Sequence, residues 1–597
     1  MSFNEVYSDD PLAWIQNEID DADDGVYIHN RRRPAYSQFV PPKEVPNIKV
    51  KNKGTKYKPF KIIGIDSNVN KVDHVCKDMP TIKGTSPTIM GADDASSQNC
   101  GVFCIGPGCF VEICGLHLVH EIGLSSYPSD IEGSAHGSST IANLVDEKES
   151  SLTISNCYIE TYATAAISVR SDTSPGGLGM HNVSVQGCTV TGKRPPGSTD
   201  ILDKMIAGNY SSVNLGYWGK YPLDMSKSIV EISGCTLNSL FFGVVGMNVT
   251  GDSESVFMVA GNSIGTGPEG IALGVSFLSD PYSPVVALPK GTIAILENTI
   301  KVGRYLALAG AAGIVVHVKM DMDPSDEETV EEHQRRTIVR GNRIDIQVPA
   351  TSDTYPYSDG IIYQYETKLL PADVSKYPDV EKDSVQGVTA YIDSNELYSS
   401  QTPSAGGPEY GIHLGPCAHL VRVTNNQLTG FKALFPIYIS ETACRNVFVG
   451  NVLSKLTPKG FSGIHCDGSQ NSFVDTDFKE SGILGLKSAG GAVCITFGEN
   501  SDENVAVLEP KYVPDGTDPE DQYKPNPAQK HNVVVVLPEF YYAVPFGEED
   551  KLIPSLPPGQ RVKPTHPVLP ELTPHEVMKA ERALGHLTGE RLSAGGK

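Results

Sequence analysis

The chain has 597 residues and a formal net charge of −23, which excludes nucleic acid as a partner, because phosphate binding needs a basic footprint. Its 58 Gly, 42 Pro and 39% hydrophobic residues argue for many short strands and turns rather than long helices. Twelve Cys residues without a CxxC pair or regular Cys/His spacing argue against a zinc site or a disulfide scaffold.

The start, MSFNEVYSDDPLAWIQNEIDDADD, is acidic and lacks the apolar h-region of a Sec signal. No apolar run is long enough for a transmembrane segment. A cytoplasmic or particle-associated location is expected, with non-classical export left open. Residues 10–24 predict an amphipathic helix with Leu12, Ile15 and Ile19 on one face and Asp10-Pro11 as cap and first-turn Pro. Gly25 ends it, and VYIH begins a strand. Residues 30–58 are basic and Pro-rich, a wrapping segment whose Arg31-Arg32-Arg33 reads as a surface or docking patch. FKIIGI at 60–65 predicts a buried strand, and TIKGTSPTIMG the next strand and turn.

From residue 111 one eight-residue phrase returns eleven times, from VEICGLHL to NSFVDTDF at 471–478. Its third position runs Ile113, Ile154, Val185, Ile232, Val259, Ile295, Val339, Ile392, Val423, Phe448, Phe473. The eighth runs Leu118, Ile159, Val190, Leu237, Ile264, Ile300, Ile344, Leu397, Leu428, Leu453, Phe478. The sixth is Cys157, Cys188 and Cys235 in early copies, then Asn262, Asn298, Asn342, Asn395, Asn426 and Asn451, then Thr476. Asn recurring at one place in a strand–turn–strand phrase predicts stacked turns whose amides hydrogen-bond coil to coil. The Cys column is read as a buried thiol stack in preference to disulfides. A second strand, often opened by Gly, follows each phrase (GIALGV, GIVVHV, GIIYQY, GIHLGP, GIHCDG).

The reading is an all-β, right-handed parallel β-helix solenoid with an N-terminal capping helix and a C-terminal extension. Eleven coils at ~4.8 Å make a rod of roughly 50 Å. Residues 1–58 form the cap helix and wrapping segment, 59–500 the β-helix, 501–549 C-terminal strands and a loop, and 550–597 a Pro-rich linker and short helix. Insertions are expected at 193–228, 279–291, 319–336, 348–386 and 400–409.

Side chains alternate between core and solvent along a strand. In the second strand this alternation puts His413, Tyr438 and His465 in one outward column on consecutive coils. A neighbouring column holds His317, Gln364, Gly415, Ser440 and Asp467. His413 and His465 are expected roughly 10 Å apart with Tyr438 between them. Tyr438 or a His could move a proton while Asp467 orients an imidazole, and Tyr438 could equally serve as a stacking platform for a sugar. Outward strand positions also hold polar residues with no such task. Gln364, His317 and the loop pair Tyr217 and Trp218 are candidate substrate contacts. Asp321, Asp323 and Asp326 stack carboxylates as an oxygen-ligand Ca²⁺ site would, without the Gly and distal Glu of an EF-hand; a solvated acidic loop is the alternative.

The capping helix before a strand, the FKIIGI strand, the repeated VxIxGNxI phrase and the Asn ladder resemble the pectate-lyase-like superfamily of right-handed parallel β-helices, over roughly residues 10–500. That resemblance implies the fold and leaves lyase, hydrolase, epimerase, tailspike and non-catalytic surface roles open. The NTD, paired-Asp, GHG and RIK segments of the polygalacturonase-type hydrolases do not occur here. Two functions are carried forward. One is a protein that binds or cleaves an extended polysaccharide along one face, as a lyase or glycoside hydrolase if it is an enzyme. The other is a non-catalytic structural or adhesion rod, a component of a phage-like or other particle, for which a homo-trimer is compatible.

Overall fold

The computed structural model describes residues 3–32, 47–86, 100–122, 139–171, 180–193, 211–216, 222–247, 249–252, 254–266, 271, 273–278, 291–303, 311–320, 335–346, 358–367, 390–399, 409–416, 418–431, 435–455, 463–479, 495–498, 501–508, 532–536 and 551–553. Over these residues the chain winds into three long sheets, of 17, 12 and 13 strands. Every strand pair in them is parallel and joins one coil to the next, as in Ser150–Ser155 on His181–Gln186 and Tyr158–Thr161 on Thr189–Gly192. The first sheet carries the opening half of the phrase, the second its closing half, and the third the Gly-led strand.

The phrase register is that of the sequence. Ile113 pairs with Ile154, Ile154 with Val185, and the third-position column continues unbroken to Phe448 and Phe473. All eleven of these side chains are buried, as are the ten described residues of the eighth-position column. Together with the inward side chains of the third sheet they form one continuous core. The first sheet also runs past the phrase at both ends, from Phe3–Tyr7 to Lys551–Ile553. Seventeen strands at ~4.8 Å span roughly 75 Å, longer than the eleven phrases alone require.

The turn inside each phrase explains its sequence. The residue before the ladder position adopts a left-handed conformation in each described coil, whether Gly187, Gly261 and Gly341 or Asn156, Glu297, Ser394 and Asn425. That residue turns the chain and leaves the next side chain pointing inward beneath the turn. The Asn there accepts from the previous coil's ladder residue and donates to the next. Asn298 N–H and Nδ2 both donate to Asn342 Oδ1 at 3.0 Å, and Asn342 Nδ2 donates to Asn395 Oδ1 at 2.9 Å and to Ile295 O at 2.9 Å. Cys157, Cys188 and Cys235 occupy the same column as free, buried thiols. Cys235 N–H donates to Asn262 Oδ1 at 2.9 Å, where the thiol stack passes into the amide ladder.

A second ladder runs up another corner: Val421 N–H donates to Asn446, and Asn446 to Asn471, Asn471 to Asn504 and Asn504 to Asn532. Each of its Asn residues stands directly before a strand of the first sheet, a regularity written in RNVFV, QNSFV, ENVAV and HNVVV.

At the N-terminal end, the helix Leu12–Asp21 packs against Ile48–Val50 and Phe3–Tyr7 and buries Ala13, Ile15 and Ile19. It is shorter than the sequence predicts at both ends. Pro11 takes the N-cap position, and the Asp10 carboxylate turns back to accept from Tyr7 N–H at 2.9 Å instead of capping the helix. The terminal helix, most of the expected insertions, Arg33 and the Pro-rich linker beyond residue 553 lie outside the described residues; the start of the expected linker, Lys551–Ile553, is instead a strand of the first sheet. Arg31 sits over the Tyr7 ring at 5.7 Å.

Candidate functional site

The third sheet has an outward column that can be followed through the whole rod. It reads Lys49, Cys104, Ala142, Ser168, Asn214, Val245, Ser276, Val315, Ile362, His413, Tyr438, His465 and Thr496. From Cys104 to Val315 these residues are buried; from Ile362 onward they are partly exposed. The neighbouring column brings His317 beside Gln364, and main-chain bonds continue it through Gly415, Ser440, Asp467 and Gly498.

His413, Tyr438 and His465 therefore stand on three consecutive coils. Their ring centroids are 5.2 Å apart for His413 and Tyr438 and 5.7 Å for Tyr438 and His465, the latter pair nearly coplanar in orientation at 2°. Asp467 lies two residues after His465, just past the strand Ile464–Cys466, and accepts from both neighbours. The Tyr438 hydroxyl donates to Oδ2 at 3.2 Å, and His465 Nε2 lies 3.1 Å from Oδ1. The other imidazole nitrogen, Nδ1, meets Thr496 Oγ1 at 2.7 Å. Gly498 makes this geometry feasible, since a Cβ there would overlap the Asp467 carboxylate at 1.5 Å. Burial, then the Asp467 charge, pushes the Tyr438 phenol up to about 12, so it stays a neutral donor at physiological pH.

Gln364 folds across Gly415, where a Cβ would stand 2.5 Å from the amide oxygen. Its amide thus adjoins the cluster from the coil before His413. His317 is one coil further away. Tyr217, Trp218, Asp321, Asp323 and Asp326 lie outside the described residues.

The structure adds residues that pattern reading missed. Tyr410 and Phe435 stand immediately before Gly411 and Pro436 at the start of the strands Glu409–Leu414 and Phe435–Ile439, in register with Asp359. Tyr410 stacks on Tyr438 at 4.8 Å and Phe435 on His465 at 4.4 Å. The ring faces are turned largely toward one another, and the polar tips remain for contact with anything bound. Asp359 is 5% exposed, and its Oδ2 lies 3.4 Å from His413 Nδ1. Burial raises the Asp359 pKa, and the bond to His413 opposes that rise. A shared signal was available: all three residues directly precede a Gly or Pro in SDG, EYG and LFP.

Three all-parallel sheets stacked coil on coil and stitched by Asn ladders define the chain as a parallel β-helix. No protein-family model matches the chain, and no curated protein matches it. Among solved structures, it is similar to a double mutant of the tailspike protein of E. coli bacteriophage HK620, with 11% identity and TM-score 0.33 over 77% of this chain and 75% of that one. It is also similar to a mutant of DFA-IIIase from Arthrobacter chlorophenolicus A6 in complex with DFA-III, with 10% identity and TM-score 0.34 over 85% and 95%. A third is PfbA, a surface adhesin of Streptococcus pneumoniae, with 12% identity and TM-score 0.31 over 79% and 92%. At these scores the likeness is one of general architecture, and the class rests on the sheets and ladders.

Proposed function

We propose that the C-terminal end of the third sheet is a glycan-binding face, which holds an extended polysaccharide along the solenoid. The observation that carries this reading is the column His413, Tyr438, His465 with Asp467 beside it: partly exposed polar tips repeating at the coil spacing. A rise of ~4.8 Å per coil is roughly the length of one sugar residue, so successive hydroxyls can meet successive coils. A phenol fixed as donor, a carboxylate with acceptor capacity and two imidazoles supply the mixed polar set that orients a sugar.

Binding is favoured over cleavage of the glycosidic bond. Asp359 and Asp467 lie three coils apart, roughly 14 Å, well beyond the ~5–9.5 Å that carboxylate pairs of glycosidases use. Tyr438, held neutral beside Asp467, is a poor proton acceptor for a lyase.

The test is isothermal titration against neutral and uronate polysaccharides, with product assays for unsaturated ends and reducing ends. Binding is expected to fall at least ~10-fold in Tyr438→Ala and in Asp467→Ala. Equal affinity of both variants and the parent for every ligand bound would refute the face. The second reading is a non-catalytic rod within a particle, supported by the unbroken first sheet from Phe3–Tyr7 to Lys551–Ile553; a homo-trimer is compatible with it. Among the described residues no helix is long and apolar enough to cross a membrane.

A further inference from the structure

The polar contacts of His413 run in two directions. Nδ1 lies 3.4 Å from Asp359 Oδ2, and Nε2 lies 3.4 Å from Ser440 Oγ. These three residues come from three consecutive coils: Asp359 from Ser358–Thr367, His413 from Glu409–Leu414, and Ser440 from the residue after Phe435–Ile439. We propose that Asp359, His413 and Ser440 form an acyl-transfer triad, with Ser440 as nucleophile, and that the substrate class is an O-acyl ester carried on the glycan held by this face.

The roles follow from the direction of each contact. A carboxylate at Nδ1 accepts a hydrogen bond from Nδ1–H and so fixes the imidazole tautomer. Nε2 is then left as an acceptor and faces the Ser440 hydroxyl, which is the arrangement a general base needs. The distances are those of a resting nucleophile and base, which tighten when substrate binds. Asp359 is costly to keep for packing alone. It is almost fully buried, and its carboxyl is met by His413 and by the Tyr410 main chain. Asn would satisfy a purely structural site with less desolvation. Asp359 touches no reacting atom in this scheme; it is a positioning residue that acts through His413.

The bond changes balance. Ser440 Oγ attacks the acyl carbonyl while its proton passes to His413 Nε2. The ester C–O bond breaks, and His413 returns the proton to the departing sugar oxygen. Water, with His413 again as base, then cleaves the acyl-Ser440 bond to release the carboxylic acid and restore the hydroxyl. Ser440 stands partly exposed at the start of a turn closed by Ala443 N–H on Ser440 O at 2.9 Å. The Gln364 amide, laid across Gly415 one coil before Ser440 in the same column, is assigned as a donor to the developing oxyanion.

The substrate class rests on the glycan-binding reading, whereas the triad does not. A fluorophosphonate probe and p-nitrophenyl acetate need no sugar, and peptide mapping of the full chain identifies the labelled residue directly. Ser440 is expected to carry the label, and Ser440→Ala to abolish both labelling and hydrolysis. His413→Gln should slow labelling at least ~10²-fold. Asp359→Asn should lower kcat by roughly 10²–10⁴-fold with KM little changed, a split that a packing role would not produce. Absence of label on Ser440 in the parent protein, or undiminished labelling in His413→Gln, overturns the triad whatever the variants' folding. Label on Ser440 without acetate release from an O-acetylated polysaccharide overturns the substrate class and leaves the nucleophile standing. Titration with the de-acetylated polysaccharide separates failure of the binding face from failure of the triad.

Discussion

The two ends of the rod solve the same folding problem with different materials. In the N-terminal coils the phrase turns close over a thiol column, Cys157, Cys188 and Cys235, and the outer face of the third sheet is buried. That face carries buried Ser168, Asn214 and Ser276 among apolar residues, with satellite clusters at Cys104, Ala142 and Leu144 and at Phe241, Phe242, Val245 and Met247. In the C-terminal coils the turns close over two amide ladders, and the outer face turns aromatic, polar and partly exposed. The two changes do not coincide. The Asn ladder begins at Asn262, whereas the outward column stays buried through Val315. Each coil contacts only its neighbours, so the inside and the outside can be altered independently. The candidate site lies where the outside has been released.

Breaking the ladder is expected to have the largest effect. Asn342→Leu removes the acceptor of two bonds from Asn298 and the donor to Ile295 O and Asn395 Oδ1. Asn395 Oδ1 keeps the main-chain N–H at position 342, and Asn298 Nδ2 keeps Val259 O. Leaving the buried Asn298 donors and Ile295 O short of a partner still costs about 1–3 kcal/mol each, so denaturant unfolding should show a loss of roughly 3–9 kcal/mol. Next is a lysine on each outer face. Ser168→Lys places an ammonium at a position 1% exposed and should cost about 3–5 kcal/mol. Thr496→Lys, in the same column at the edge of the site, loses the bond to His465 Nδ1 but keeps its ammonium in water, and should cost about 1 kcal/mol. Similar losses from the two would erase the distinction between the halves.

The thiol column should be more forgiving than the amide ladder. Cys188 is buried, with its pKa raised first by its contact with the Cys157 thiol and further by desolvation. Cys188→Ala removes one small apolar contact and should cost about 1–2 kcal/mol, well below the ladder variant. The native thiols of Cys157, Cys188 and Cys235 should resist a disulfide reagent until the chain unfolds, because the thiolate is the reactive species. Fast native labelling of this column would contradict the buried stack.

Much of this fold could be read from the sequence because a solenoid repeats its constraints. The third and eighth phrase positions must be apolar in each coil, and eleven copies make even one mismatch visible. The second ladder, Asn446 to Asn532, escaped for a physical reason. Asn446 and Asn471 occupy the first position of the last two copies, but the nine earlier copies carry Val, Leu, Phe, Ile, Thr or Ala there, so the repeat shows no Asn column at that place. For the site, the outward register of His413, Tyr438 and His465 followed from strand alternation. Asp359, Tyr410 and Phe435 did not, because Gly360, Gly411 and Pro436 interrupt simple alternation between the two positions. Hydrogen bonds between side chains on different coils, such as His413 to Ser440, depend on rotamers that no spacing encodes.

Asp359 stands in the coil where the outer column changes from buried to exposed, and its titration gives the smallest and most specific test. Burial is the main cause of its raised pKa, with the His413 bond acting in the opposite direction. A carboxyl whose native pKa lies above its unfolded value favours folding most when protonated. That contribution is complete below the unfolded pKa of about 3.9 and is lost as pH rises through the native value. Relative to Asp359→Asn, whose amide does not titrate, the parent chain should therefore lose stability as pH rises across that window. Urea unfolding of both chains at pH 4 and at neutral pH should show the variant gaining on the parent with increasing pH, even as its ester hydrolysis falls. If the parent instead gains on the variant over the same window, the His413 bond outweighs burial and Asp359 is a stabilising ion-pair partner in the native state.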